Sequence, residues 1–275
     1  MSDSLKFICQ RTGFYLLLVV ILAFFLLPIY WLVTMSFKTY IDAFAMPPKL
    51  WFTPILDNYR QVLGNGDFIR AFGNSLLISL VSTFLCLILG ALFAYGLVFF
   101  IERKGRAKQF IMSLRYAPVI MLVIPVYYLI TKLGMTDNYL VLILVYTVAN
   151  VSFTILMVTT FFEDIPPEIR EAARVDGASE WRVFLSVMLP LARTGLAASG
   201  VLTLFFIWNE FQIVLTLSGD STQTLPVAIT SFLTFQGTEW GPLTAAGTLV
   251  MLPMLVLGLL VQKHLVRGLT MGGVK

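Results

Sequence analysis

A chain of 275 residues that is 58% hydrophobic and only 12% charged cannot hide its apolar surface in a water-soluble core, whose usual composition is roughly half apolar and a quarter charged. Its net charge of +4 is scattered over the ends of apolar runs and not gathered into a patch or stripe, which argues against nucleic acid as a partner. Cys9, Cys86 and the lone His264 form no metal or redox spacing, so zinc and disulfide chemistry are excluded as well.

In chain order, apolar runs nearly free of charge fall at 12–37, 71–101, 109–131, 138–162, 194–219 and 240–262. A helix needs about 20 apolar residues to cross hydrocarbon, and barrel strands are about half that length. The pattern predicts an all-α membrane protein with six transmembrane helices. The first run is too long for a signal-peptide core and lacks a small-x-small cleavage site, so it reads as a retained span. The third is interrupted by Arg115; a helix starting near Gln109 would let that side chain snorkel back to the interface. Lys and Arg divide fourteen to five between the two sides when the N-terminus is placed inside, which predicts cytosolic termini, N-in and C-in. The outer segment 38–70 carries MPPKLWFTP, whose prolines break helix and whose Trp51 and Phe52 suit an interfacial belt. It reads either as a contact for an external partner or as a loop lying on the surface.

Between the fourth and fifth runs lies EDIPPEIREAARVDGASEWR, from Glu163 to Arg182, with nine charges in twenty residues. Pro166 and Pro167 can open a helix, and Glu168 and Glu171 suit the positive end of its dipole. Ile169, Ala172 and Ala173 fall on one shallow apolar face. Gly177 can supply a left-handed turn, and Ser179 can cap a second helix. On that helix Trp181, Phe184, Leu185, Met188 and Leu189 form a larger face, expected to pack on the protein's own spans. The segment reads as two helices held at the membrane surface, with the alanine face open to another protein or simply lying at the interface.

Glu171-Ala172-Ala173, three residues, Gly177, nine residues, Val187, one residue and Leu189-Pro190 resemble the EAA loop of ATP-binding-cassette (ABC) importer permeases, with Val187 in place of an isoleucine. Asn58-Tyr59, Asn74-Ser75-Leu76, Trp208-Asn209-Glu210-Phe211, Thr224-Leu225-Pro226 and the tail Val266-Arg267-Gly268-Leu269-Thr270 with Val274-Lys275 resemble its carbohydrate-uptake branch, most closely the maltose-type second permease subunit. The resemblance covers essentially the whole chain. It implies a type I ABC importer permease fold in the bacterial cytoplasmic (inner) membrane: a cytosolic N-terminus at 1–11, a first span at 12–37, an extracytoplasmic loop at 38–70, a type-1 transmembrane domain over 71–265 with five spans and a coupling loop at 163–193, and a cytosolic tail at 266–275. It implies ATPase coupling through Glu171, Ala172, Ala173, Asp176 and Gly177, and a tail contact to the ATPase through Arg267, Gly268, Leu269 and Thr270. The implied partners are a second homologous permease forming a heterodimer, two ATPase subunits, an extracytoplasmic solute-binding protein and membrane lipid.

The chain has no GxxxxGK[ST] phosphate loop and no nucleophile set, so it is not expected to be an enzyme or to carry a cofactor; ATP and Mg2+ belong to the partner ATPases. A sugar or sugar-like solute would move by alternating access. Glu210 is the only carboxylate deep in an apolar run, and with Phe205, Trp208, Asn209 and Gln212 it either lines a translocation path or holds the bundle as a structural polar contact. Competing readings are an ABC permease for another small solute, an intramembrane enzyme, which lacks a paired nucleophile and base, and an ion-driven carrier. The carrier predicts inverted repeats and helices interrupted near the midplane, neither of which the sequence displays.

Overall fold

The computed structural model describes the backbone of residues 2–234 and 237–271 and the side chains of residues 11–262 apart from 235 and 236. In order the chain forms α1 (Ser2–Ser36), α2 (Tyr40–Ala43), α3 (Asp57–Gly64), α4 (Gly66–Phe99), α5 (Lys104–Tyr116), α6 (Val119–Lys132), α7 (Tyr139–Glu163), α8 (Pro167–Val175) and α9 (Glu180–Val183). A π-helical turn (Phe184–Met188) then leads into α10 (Leu189–Leu191), α11 (Arg193–Trp208), α12 (Gln212–Leu217), α13 (Leu225–Ala228), a 3-10 turn (Ile229–Phe232), a hairpin of β1 (Leu233–Thr234) and β2 (Gly237–Thr238), and α14 (Trp240–Met271). Among the described residues α1, α4, α7 and α14 are long and apolar enough to cross a membrane unbroken, and two sharply bent pairs bring the total to six. The chain divides into two compact units, residues 1–66 with 229–252, and the remainder.

In the first unit, none of the most apolar stretch of α1 is covered by the chain itself, so that helix is built to face lipid or another protein. Its C-terminal end is tied down by polar side chains. The Asn58 amide donates to the carbonyls of Ser36 and Lys38 at 2.9 and 3.0 Å, and Ser36 Oγ and Tyr59 OH share a hydrogen bond of 2.7 Å. Gly241 leaves room for Asn58, because a Cβ there would sit 2.4 Å from its amide oxygen. Lys38 is buried, donating to the Lys49 carbonyl between the rings of Trp31 and Phe52. Trp51 stands exposed as a belt residue would, whereas Phe52 turns inward over this lysine. The hairpin is antiparallel, with Leu233 opposite Thr238 and Thr234 opposite Gly237.

The second unit is a bundle in which α7 packs on both α5 and α11, and α12 packs on α6 and α7. Helices in lipid gain little from apolar burial against each other, so close approach of small residues and interhelical hydrogen bonds hold them. Thr154 and Thr203 share a buried hydrogen bond of 2.9 Å, and Ser82 donates to the Ile143 carbonyl at 3.2 Å. At Gly195 a Cβ would lie 2.1 Å from the Phe161 ring, so only glycine admits that ring.

Two of the predicted spans are not continuous. The third is α5 and α6, bent by 73° at Ala117–Pro118. Proline lacks the N–H needed to continue the ladder and pushes its predecessor out of the helical region, and Ala117 is extended at ψ 124°. Arg115, in the last turn of α5, is exposed, and its guanidinium lies over the rings of Phe153 and Phe206 at 4.6 and 5.7 Å. The fifth run breaks at Asn209–Phe211, between α11 and α12, and α11 is itself bent by 76° from the helix before it. Interrupted helices, absent from the sequence reading, are therefore a feature of the fold. In α14 the helical backbone continues through Met271, so Arg267, Gly268, Leu269 and Thr270 extend a helix and not a loose end; their side chains lie outside the described residues.

Candidate functional site

The segment between α7 and α11 is built around one helix ending. α8 starts at Pro167 and stops at Val175, with Gly177 at φ +81°, a conformation that costs glycine nothing and other residues much. The Gly177 N–H donates to the Arg174 carbonyl at 3.0 Å and the Ala178 N–H to the Ala173 carbonyl at 3.1 Å. These are the paired bonds of a Schellman motif, in which the second residue past the cap packs against the third from the helix end. Those two residues are Ala178 and Ala173, and both rest on the cluster of Tyr95, Val98, Phe162, Val183, Phe184 and Met188. The spacing from the second alanine of the EAA triplet to the glycine is thus the spacing of one backbone motif.

This fixes which way α8 faces. Ala173 turns toward the protein, while Ala172, Glu168, Glu171 and Val175 stand exposed at i, i+3, i+4 and i+7 from Glu168. The sequence grouped Ala172 with Ala173; the helix separates them and puts Val175, 87% exposed, beside Ala172 instead. Asp176 and Gly177 are exposed at the same end.

The second helix packs part of its expected face, Phe184, Met188 and Leu189, on the same cluster. Ser179 caps it, accepting from the Arg182 N–H as predicted. Its buried residues are Val183, Phe184 and Met188, while Trp181 and Leu185 of the expected face are 60% and 47% exposed. The stripe that packs on the bundle runs through Val183, Phe184, Met188 and Leu189, and a π turn spans Phe184–Met188.

A cluster that the sequence did not suggest clamps the two short helices together. Glu180 accepts from Arg170 at 2.7 Å and from the Tyr95 hydroxyl, on α4, at 2.8 Å, and forms an ion pair with Arg174 at 3.1 Å. Arg170 also lies over the rings of Phe99 and Phe100. Partial burial opposes charge on Glu180, but the hydrogen bonds from Tyr95 and Arg170 outweigh it and hold the carboxyl below its ordinary range. At Arg170 the hydrogen bonds to Tyr95 and Glu180 outweigh burial and raise its pKa. The i, i+4 spacing of Arg170 and Arg174 was the available signal, but Tyr95 is 85 residues away from Glu180 in sequence.

At the other end of this unit, Asp137 closes a second clasp. Its carboxylate accepts from the backbone of Gly219, Ser221 and Thr222 and from the Thr222 hydroxyl, at 2.6 to 3.0 Å. Burial opposes its charge, yet the hydrogen bonds from Thr222 and from the Ser221 and Gly219 backbone hold its pKa down at about 2. Asn74 donates to the carbonyls of Ser221 and Gln223, and Ser75 Oγ accepts from the Leu225 N–H at 2.8 Å. Asn74-Ser75 and Thr224-Leu225-Pro226, distant in sequence, are two halves of one joint.

The residues suggested for a translocation path do not stay together. Trp208 is 2% exposed and packs edge-on against Phe72, a core position. The Asn209 amide is spent on the Phe205 carbonyl of its own helix. Phe205 and Gln212 are exposed but line no described cavity with Glu210. Glu210 accepts from the Ile213 N–H at 3.0 Å, capping α12, and lines a cavity of about 380 Å³. Its companions there include Arg115, Asn150, Ser152 and Phe206. Arg115 entered the sequence reading only as a span defect, being 95 positions from Glu210.

Residues 86–271 match the family model described as "Binding-protein-dependent transport system inner membrane component". The chain is 36% identical over 256 residues to the "Probable ABC transporter permease protein y4oR" of Sinorhizobium fredii, covering 93% of this chain and 92% of that one. It is 32% identical to the "Trehalose transport system permease protein SugB" of Mycobacterium tuberculosis, over 93% of this chain and 94% of that one. In fold it matches a chain of a bacterial ABC transporter involved in the import of the acidic polysaccharide alginate, with a TM-score of 0.77, 21% identity and coverage of 95% and 97%. Interrupted helices therefore do not mark an ion-driven carrier here: the chain belongs to the family of binding-protein-dependent transport system inner membrane components, as an ABC importer permease of the type I fold.

Proposed function

We propose that this permease moves a sugar or sugar-like solute inward by alternating access, as one half of a heterodimer with a second permease, driven by two partner ATPases and fed by an extracytoplasmic binding protein. The positive-inside distribution, fourteen basic residues against five, supports cytosolic termini and a cytosolic position for α8. The observation that carries the coupling role is the exposed Glu168, Glu171, Ala172 and Val175 face, presented by a helix whose other side is locked down. An apolar patch one alanine and one valine wide, ringed by charge, fits a shallow cleft in a soluble subunit. Nucleotide chemistry belongs to that subunit, where ATP and Mg2+ bind. The trehalose permease among the relatives supports the saccharide class.

ATP-driven closure of the ATPases would carry α8 and α9 with it and tilt the spans outward-open, and the ATP-bound state need favour that arrangement by only a few kcal/mol. Ala172→Arg places a bulky cation in the docking face without touching the Schellman bonds. Its expected result is loss of ATPase co-purification and of vanadate-sensitive hydrolysis, with membrane insertion intact. Normal docking and uptake in that variant would refute the assignment.

A further inference from the structure

One face of α5 is tied to α7 and another is left without a partner. On the first, Lys108 donates to the Glu163 carboxylate at 2.7 Å and the Arg115 guanidinium lies over the Phe153 ring, with Ile111 half-buried between them. The second carries Arg103, Arg106, Phe110 and Leu114, at i, i+3, i+7 and i+11, and all four are exposed. Lys104 flanks its basic end and is exposed too. Among the described residues Arg103, Lys104 and Arg106 make no ion pair or hydrogen bond, and Glu102 beside them offsets one of the three charges. Cations in a first turn oppose the helix dipole, and α5 has no acid there, so these charges do not serve the helix itself.

We propose that Arg103, Lys104 and Arg106 bind anionic phospholipid, with the headgroup phosphate against the basic end of this stripe and an acyl chain along Phe110 and Leu114. The proposal rests on reading the chain as a membrane-spanning permease and adds a lipid that one of its helices selects. Charge first and apolar surface after it is the order of a phospholipid, head then tail. Arg106 and Leu114 lie about 12 Å apart along the helix, enough to pass from the headgroup layer to the edge of the hydrocarbon. The basic group stands four residues past the end of α4, where polybasic segments draw anionic lipid to a membrane surface. Arginine forks match phosphate oxygens in pairs, and lysine adds a mobile point charge. A soluble subunit would match the cations but leave Phe110 and Leu114 uncovered. A second permease would cover the apolar residues and leave the cations unanswered. The clamp between Lys108 and Glu163 fixes α5 on the last residue of α7, so the lipid is held at a set place on the bundle.

The test uses the full importer, with its second permease and ATPases, in phosphatidylcholine nanodiscs. A fluorophore is placed on Gly105→Cys, where a Cβ meets nothing within 4 Å, in a Cys9→Ser chain whose Cys86 is fully buried. The partner subunits carry no reactive thiols. Quenching is read as a small fraction of the lipid is replaced by phosphatidylglycerol or by phosphatidylcholine, each bearing a nitroxide near the top of one acyl chain. Each basic residue at an anionic surface is worth about a fivefold shift, so with Glu102 and screening set against three cations phosphatidylglycerol is expected to quench roughly tenfold more steeply. Arg103→Gln, Lys104→Gln and Arg106→Gln together should bring the two lipids level. In the parent chain 1 M salt should do the same, a readout that needs no substituted cation. Equal quenching in the parent at low salt, or a preference that survives both the triple substitution and high salt, overturns the assignment. Loss of ATPase co-purification in the triple variant, with no lipid preference in the parent, would also overturn it and give the surface to the ATPase. Both faces of a nanodisc carry the same lipid, so the result does not depend on which face α5 meets. ATPase co-purification and hydrolysis in the parent read the permease assignment separately, so failure of one is not failure of the other.

Discussion

Replacing Gly177 by alanine isolates the backbone geometry on which α8 depends. A Cβ at this position meets nothing within 4 Å, so Gly177→Ala introduces no clash, and any effect must come from φ +81° alone. Holding an L-residue in the left-handed region costs about 1–2 kcal/mol, and the two bonds that close the helix, Gly177 to Arg174 and Ala178 to Ala173, can be kept only at that cost. A penalty of this size lowers the population of the closed ending by roughly 5–30-fold relative to frayed alternatives. Hydrogen exchange at the amides of residues 177 and 178 should accelerate by about that factor. In the reconstituted importer, hydrolysis stimulated by the loaded binding protein and solute uptake should fall together, because the Ala172–Val175 face loses its fixed orientation. Gly177→Asn should lose much less, since asparagine tolerates this conformation. Unchanged exchange in Gly177→Ala, or equal damage from alanine and asparagine, would refute the reasoning.

Removing the Glu180 charge by Glu180→Gln should release Arg170 and Arg174 together and lower the thermal midpoint by an amount equivalent to about 1 kcal/mol, with Tyr95→Phe adding little on top because the two share one network. Asp137 has a depressed folded pKa of about 2, so its contribution is full above the unfolded value near 4 and is lost as pH falls from there toward the folded value. Asp137→Asn should therefore cost about 1 kcal/mol at neutral pH, after discounting for solvent screening, and the gap from the parent should close as the pH of a thermal melt is lowered through that window; a constant gap would contradict the carboxylate's role. Gly195→Ala must displace the Phe161 ring and should destabilise the bundle by about 1–3 kcal/mol, read as a lower melting point in detergent.

What the sequence made legible was whatever depends on neighbours along the chain. Apolar runs marked the spans, Pro166-Pro167 and Ser179 marked helix starts, and Gly177 marked the turn, because caps and breakers act within a few residues. Trp181 and Leu185 were misplaced on the second short helix because its buried stripe, through Val183, Phe184 and Met188, is set by Tyr95 and Phe162, which are distant in sequence. The break at Ala117–Pro118 was signalled by Pro118 but masked by the hydrophobicity of the surrounding run. Glu210 was noticed for its cost in lipid, yet its cavity partner could not be, since Arg115 reaches the same space only after α5 and α11 have each packed on α7. Nothing near Asp137 in sequence marks it, because its four hydrogen-bond donors lie more than eighty positions away.

α4 runs without a break through both joints of the second unit, carrying Asn74 near one end and Tyr95 near the other. At 1.5 Å per residue the two side chains are about 30 Å apart along a stiff rod. A tilt of about 10° imposed at Tyr95 through Glu180 displaces Asn74 by about 5 Å, on that same rise. Asn74 grips the Ser221 and Gln223 carbonyls directly, so the displacement is delivered to the segment leading into α13 without passing through any flexible connection. The helix acts as a lever whose length sets the gain, and a helix-breaking insertion midway along it should disconnect the two ends while leaving each clasp intact.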